Sequence, residues 1–251
     1  MSARVGLALY TLRDDCALDP EATLRAVAQL GYEGVELYDL FGRDAKEIRV
    51  ALDELGLEAC GRHASLEAIE SSLEALATEL SELGTERLVL AWIPPPASAA
   101  EAAAAVARIA AAAERVRSAG FRLGFHNHAA ELRPLDDGRT VLDRLLELDS
   151  ELLFLELDLG WAWFAGVDPR DLVARVSPRA PLVHVKDMIA GAEPRFAPVG
   201  DGDAGYAAVL PAIRGLGVEW LLVEQDETDG PALDAVRRSY DAVSSLLASP
   251  A

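Results

Sequence analysis

A closed (β/α)8 barrel, one α/β domain over residues 1–251, is the fold that the sequence predicts, and three observations carry that reading. Eight short apolar runs alternate with helix-like segments, the pattern of a parallel sheet. Eight such units suit one closed barrel of this length, and no linker or shift in composition divides the chain. No GxGxxG follows the first run, which argues against an open dinucleotide-binding sheet.

The strands are read at Val5–Leu9, Val35–Tyr38, Leu57–Cys60, Leu88–Trp92, Leu123–His126, Leu153–Asp158, Leu182–Val185 and Trp220–Glu224. Gly31, Gly56, Gly84, Gly120 and Gly217 stand between a helical pattern and the next strand, where a left-handed residue closes the helix. Asp19-Pro20 reads as an N-cap followed by proline at the first helical position. Ser98 with Glu101 reads as a capping box for the Ala-rich segment ending at Ala119, and its Val106, Ile109, Val116 stripe marks an amphipathic helix. Pro94-Pro95-Pro96 is a stiff loop after the fourth strand, and the last helix runs from Pro231 to Leu247.

Composition narrows the function. The chain is 51% hydrophobic and carries a formal charge of −19, which opposes binding to nucleic acid. It has no long apolar run and no basic, apolar leader, so no membrane association and no secretory signal are expected. Cys16 and Cys60 match no ligand spacing and no disulfide framework, so reduced thiols in a cytoplasmic protein are expected.

Polar residues gather at the C-terminal ends of the strand-like runs. Alternation sets Leu153, Leu155 and Leu157 against Glu156 and Asp158, Val183 and Val185 against His184 and Lys186, and Leu221 and Val223 against Glu224 and Asp226. Phe125-His126-Asn127-His128 closes the fifth run, with Glu131 just beyond; Glu36 lies in the second run and His63 follows the third. Active sites of such barrels lie at the carboxyl ends of the strands, so these side chains are expected to share one mouth. A lone histidine is more often a hydrogen-bonded structural residue, but here all four of the chain sit at strand exits beside carboxylates.

A mixed oxygen and nitrogen donor set without thiolates suits one divalent ion: Mn²⁺, Mg²⁺ or Co²⁺, with Zn²⁺ also admissible. Glu131, Asp158, His184 and Glu224 are the expected ligands, with His126 or His128 as the alternative to Glu131, which lies in a loop.

These segments resemble sugar isomerases and epimerases of the xylose isomerase-like TIM-barrel superfamily, over essentially the whole chain. The resemblance is densest in Phe125–Leu132, Glu156–Trp161 with Ala165-Gly166 and Asp168-Pro169, His184–Asp187, Val199–Gly202 and Val223–Asp226. It implies a Glu/Asp/His/Glu metal site and proton transfer beside a sugar carbonyl. Ketose 3-epimerases place a glutamate at the end of the fifth strand, where this chain has His126. The HNHxxE form looks closer to family members described only in general terms, or to relatives acting on inososes and 3-keto sugars.

The expected activity is a metal-dependent isomerase or epimerase of a keto sugar or polyol ketone, working by proton transfer at the carbon next to the carbonyl. Glu131 and Glu224 would face the substrate from opposite sides, His126 would serve as an auxiliary base, and Lys186 would polarise the carbonyl or bind a hydroxyl. Glu36, His63, His128, Trp161 and Asp226 are the expected substrate contacts, with Trp163 as an alternative stacking ring. One alternative is a lyase that dehydrates an inosose or 3-keto sugar by β-elimination; another is an endonuclease-branch or non-catalytic sugar-binding barrel. The missing basic stripe disfavours the endonuclease. An unphosphorylated carbohydrate is expected, because Asp201, Asp203, Asp226, Glu227 and Asp229 crowd the loops after the seventh and eighth strands with like charge. Homo-oligomerisation is left open.

Overall fold

The computed structural model describes residues 3–177 and 179–248. Its strands are β1 (Arg4–Ala8), β2 (Gly34–Leu37), β3 (Glu58–Ala64), β4 (Arg87–Leu90), β5 (Arg122–His126), β6 (Leu153–Asp158), β7 (Leu182–Val185), β8 (Asp187–Met188), β9 (Phe196–Ala197) and β10 (Trp220–Val223). Eight of them close a parallel barrel in the order β1-β10-β7-β6-β5-β4-β3-β2, while β8 and β9 pair as a small antiparallel ribbon. Seven barrel strands match the sequence reading to within two residues at each end.

The third strand differs, and the difference has a physical cause. In the β2–β3 register Val35 faces Ala59 but Glu36 faces Gly61, so Cys60 is an extra residue. The bulge turns the alternation over, as bulges near active sites commonly do. Cys60 packs inside the barrel, a Cβ on Gly61 would lie 3.2 Å from Glu36 Oε1, and His63 falls within the strand rather than after it. The bulge breaks the alternation at Cys60, so periodicity alone does not carry the strand on to Ala64.

The outward faces of the strands pack against the helices through residues such as Leu155, Leu157, Val183, Val185, Leu221 and Val223. The inward faces form a separate apolar plug of Cys60, Val89, Phe154, Leu182, Trp220 and Leu222. Glu156 lies two residues beyond Phe154, His184 two beyond Leu182 and Glu224 two beyond Leu222, so alternation stacks the ionisable layer on the plug. The polar site therefore rests on a dry floor.

Helix ends follow the sequence closely. Gly31, Gly56 and Gly84 hold left-handed caps with φ of 102°, 70° and 73°. Asp19 accepts from the Ala22 N–H at 3.0 Å, one residue ahead of Pro20. Ser98 accepts from the Glu101 N–H at 3.2 Å, but Glu101 reaches back to the Ala97 N–H rather than to Ser98, so that box is half closed. Complete boxes form instead at Asp44 with Glu47 and at Thr140 with Asp143.

Gly160 is fixed by a close approach of two backbones. A Cβ there would stand 2.1 Å from the Lys186 carbonyl oxygen and 2.9 Å from Lys186 Cβ. The helix Leu159–Phe164 can lie on the end of β7 only because no side chain intervenes. Gly160→Ala should cost ~1–3 kcal/mol, lowering Tm by about 2–4 °C per kcal/mol. An unchanged melting curve would show that the two segments can separate freely.

Candidate active site

Each functional side chain is aimed by its backbone surroundings. Asp158 ends β6 and is also the N-cap of the helix that follows, where its Oδ1 accepts from the Trp161 N–H at 2.8 Å. That engages one carboxylate oxygen and leaves Oδ2 for the mouth. Asn127 clips β5 to β6 beyond the last ladder bond: its Oδ1 accepts from the Asp158 N–H at 3.1 Å and its Nδ2 donates to the Asp158 carbonyl at 3.3 Å. The Tyr206 hydroxyl brackets Lys186, accepting from its N–H at 3.0 Å and donating to its carbonyl at 3.1 Å. Asp187 accepts four backbone N–H groups, from Met188 at 2.9 Å, Gly200 at 2.8 Å, Gly202 at 3.2 Å and Ala204 at 3.1 Å. This carboxylate shapes the loop that carries β8 and β9.

Two overlapping groups of donors result. His126, Asp158, His184 and Glu224 each offer one ligand atom within 4.8 Å of the others, and so do His63, His126, Glu156 and His184. His184 Nδ1 lies 2.8 Å from Glu224 Oε2, and His126 Nε2 lies 3.8 Å from Asp158 Oδ2. Lys186 Nζ reaches Asp158 Oδ2 at 3.1 Å, Glu224 Oε2 at 2.8 Å and Asp226 Oδ1 at 2.6 Å. The Asp158 contact is an ion pair without hydrogen-bond alignment, so Oδ2 keeps no hydrogen-bond partner.

Electrostatics follow from burial and these contacts. Burial pulls the Lys186 ammonium toward neutrality, but Asp158, Glu224 and Asp226 outweigh it and hold its pKa well above the usual lysine value. Burial pushes the Glu224 carboxyl up, and Lys186 and His184 reverse this to leave it well below the usual range. For Asp158 burial wins over Lys186 and His184, and its pKa rises to about 6. Burial, with Lys186 next, takes His128 down to about 4; His126 is depressed by burial and by the other rings. Both imidazoles are thus neutral at pH 7 and able to take a proton or bind a metal. Burial opposes charge on His63 and His184, yet the carboxylates around them prevail: His63 rises to about 10 and His184 well above its usual value.

The expected residues converge with one exception. Glu36, His63, His126, His128, Trp161, Asp158, His184, Lys186, Glu224 and Asp226 gather at the C-terminal end of the barrel, and most line or lie just beneath a cavity of about 430 Å³. Glu131 stands in neither donor group. It is buried, and its Oε2 accepts from the His128 N–H at 2.8 Å, so the carboxylate folds back onto its own turn. The fourth place beside Asp158, His184 and Glu224 is taken by His126, at the end of β5 itself. Trp161 faces the His128 ring at 5.7 Å and lies 5.5 Å from Lys186 Nζ, whereas Trp163 packs against the core.

Asn127, Tyr206 and Asp187 went unassigned in the sequence, as did the aromatic wall of Tyr10, Tyr38 and Trp92 around the cavity. The wall had a signal: each ring stands within two residues of a strand end. Tyr206 had none, since its partner is the backbone of a residue 20 positions away.

The mouth donors fit a divalent ion. Two imidazole nitrogens and two carboxylates, with the buried Asp158 Oδ2 lacking a hydrogen-bond partner, form a hard mixed set without thiolates. Ligation requires Asp158 ionised and His184 neutral at Nδ1, so protons compete with the metal. Both shifts act in one direction: the upward shift of Asp158 to about 6, and that of His184, place metal uptake on the alkaline side. Calorimetric titration with Mn²⁺ should show affinity rising at least about tenfold from about pH 5 to about pH 7. A flat profile would remove these two residues from the ligand set.

A family model for the xylose isomerase-like TIM barrel matches residues 24–246. The rhizopine catabolism protein MocC of Rhizobium meliloti is 30% identical over 137 residues, 48% of this chain and 41% of that protein. The inosose dehydratase of Geobacillus kaustophilus is 26% identical over 193 residues, 67% of this chain and 62% of that protein. The matches thus span less than two thirds of either relative. A sugar phosphate isomerase/epimerase from Parabacteroides distasonis superposes with a TM-score of 0.83 at 20% identity, covering 95% of this chain and 96% of that one. With its barrel closed, its donors at the strand ends and the family pattern running through nearly all of it, the chain belongs to the xylose isomerase-like TIM barrel family.

Proposed function

We propose that this protein is a divalent-metal-dependent enzyme that removes a proton from the carbon beside the carbonyl of a keto sugar or polyol ketone. The observation that carries this reading is the mouth itself: His126, Asp158, His184 and Glu224 in ligand range of one another, beside a buried ammonium and a neutral, half-buried imidazole. A bound divalent ion would supply Lewis acidity, stabilising negative charge on the substrate oxygen. The side chains do the rest. Lys186, charged and held by Asp226 and Glu224, donates to a substrate oxygen. His128 is neutral and lines the cavity, so its ring can accept the proton. Glu131 positions His128 through its backbone N–H. Trp161 offers a ring for a sugar face.

Dehydration is a second reading, and the placement of Glu131 favours it. Two-sided epimerisation draws on an acid/base group on each face, and the carboxylate expected opposite Glu224 is engaged elsewhere. One base together with a proton donor suffices to expel water by β-elimination. The inosose dehydratase relative is consistent with this outcome.

The loop after β7 supports an unphosphorylated substrate. Barrel phosphate sites draw on loop N–H groups near the seventh and eighth strands. Here the Gly200, Gly202 and Ala204 N–H groups already donate to Asp187.

Incubation of Mn²⁺-loaded protein with ketoses, inososes and 3-keto glycosides in D₂O should show exchange at the carbon beside the carbonyl. Either retention of the substrate skeleton or appearance of an enone then separates epimerisation from elimination by NMR. His128→Gln should lower kcat by ~10²–10⁴-fold, and turnover that requires added NAD would overturn the reading. For a free sugar and its phosphate ester under one metal, kcat/KM should favour the free sugar; a tenfold preference for the ester would mean that the Asp187 loop rearranges to bind phosphate.

A further inference from the structure

We propose that a second divalent cation binds inside the barrel, one layer below the mouth, between Glu36, His63, Glu156 and the Nε2 side of His184. Four donor atoms there close a ring. His63 Nε2 lies 3.0 Å from Glu36 Oε2 and 2.9 Å from Glu156 Oε1; His184 Nε2 lies 2.8 Å from the same Glu36 oxygen and 3.1 Å from the same Glu156 oxygen. The two imidazole rings face each other nearly parallel, 13° apart. His126 Nδ1 stands 2.9 Å from Glu156 Oε1 and, with Nε2 serving the mouth, donates its hydrogen to that oxygen.

Protons alone serve this ring poorly. Each Nε2 carries at most one hydrogen, so two N–H groups must cover four short N···O contacts. Both carboxylates are also half satisfied: Glu36 Oε1 and Glu156 Oε2 are buried and have no hydrogen-bond partner. A cation at the centre would use all four lone pairs at once.

Charge points the same way. Five carboxylates, Glu36, Glu156, Asp158, Glu224 and Asp226, crowd the barrel end. Among the described residues, Lys186 is the one permanently charged cation touching any of them. One divalent ion at the mouth, with Lys186, offsets Asp158, Glu224 and Asp226. Glu36 and Glu156 then remain in a fully buried layer, their counter-charge being the protons on His63 and His184, and a second divalent ion would take the place of those protons.

The two sites use different nitrogens of the shared rings. His184 turns Nδ1 to Glu224 at the mouth and Nε2 to the inner ring, and His126 turns Nε2 toward Asp158 and Nδ1 to Glu156. With both sites filled His184 would bridge the ions as an imidazolate, its last ring proton released to solvent. Two imidazoles and two carboxylates suit zinc, whose bonds of about 2.0–2.1 Å space tetrahedral donors about 3.3 Å apart, a few tenths of an ångström wider than the ring. The ion can enter past His63, whose side chain is 13% exposed and lines the cavity. The inner site stands on its own donors and does not depend on the reaction proposed above.

Crystals of the full chain grown with zinc, measured at the zinc absorption edge, should show two anomalous peaks. One is expected beside Asp158 and Glu224, the other between Glu36, His63, Glu156 and His184. Metal analysis should give two zinc ions per chain, falling to one in His63→Gln and in Glu36→Gln with the mouth peak kept. Glu224→Gln should instead lose the mouth ion, so failure of one site is distinguishable from failure of the other. A single mouth peak in the unmodified protein, with a count of one that His63→Gln leaves unchanged, would overturn the inner site and leave the ring held by protons.

Discussion

The constraint on which this structure depends is the burial of carboxylates inside the barrel. Glu36, Glu156 and Asp158 are each at most 2% exposed, in a layer floored by Phe154, Leu182, Trp220 and Leu222. An uncompensated charge in such a place costs several kcal/mol. The surrounding architecture reads as a response: Lys186 is threaded to three carboxylates, three imidazoles are wedged among the rest, and Tyr206 and Asn127 pin the backbone that carries them. The groups that make the site chemically capable are the ones that make it hard to fold without counter-charge. Stability and reactivity here draw on the same ion pairs.

Much of this was legible in the sequence, and the reason is periodicity. A strand inside a barrel announces both its faces, so Leu153 to Asp158 and Leu182 to Lys186 disclosed which side chains would point at the axis. The convergence of His126, Asp158, His184, Lys186, Glu224 and Asp226 followed from where their strands end. What escaped depends on conformations that periodicity does not encode. Whether Glu131 reaches the mouth is decided by a three-residue turn with its own hydrogen bond to His128. The entry of His63 into β3 is decided by one extra residue at Cys60. The β8–β9 ribbon is two residues per strand, too short for any alternation to show.

The fold leaves the chemistry open, since this barrel hosts many reactions. In this chain the side chains able to do chemistry stand at a few strand ends. At the end of β5 His126, rather than the expected loop residue Glu131, joins Asp158, His184 and Glu224, which changes the net charge an ion there would meet and the groups free to move protons. A donor set of two imidazoles and two carboxylates is less negative than one imidazole with three carboxylates. An ion held by it would therefore withdraw more electron density from a coordinated oxygen.

The Asp187 carboxylate has a consequence for how the site is kept ready. Its two oxygens hold four N–H groups of the segment from Met188 to Ala204, so the segment carries its own anion. A loop that awaits an external ligand surrenders conformational entropy at the moment of binding, and that loss is taken from affinity. Here the ordering is completed during folding by a side chain that cannot diffuse away. The wall bearing Phe196, 5.8 Å from Trp161 and from Lys186 Nζ, is thereby preorganised. In the activity proposed above, substrate binding energy would be left free to act at the reacting carbon.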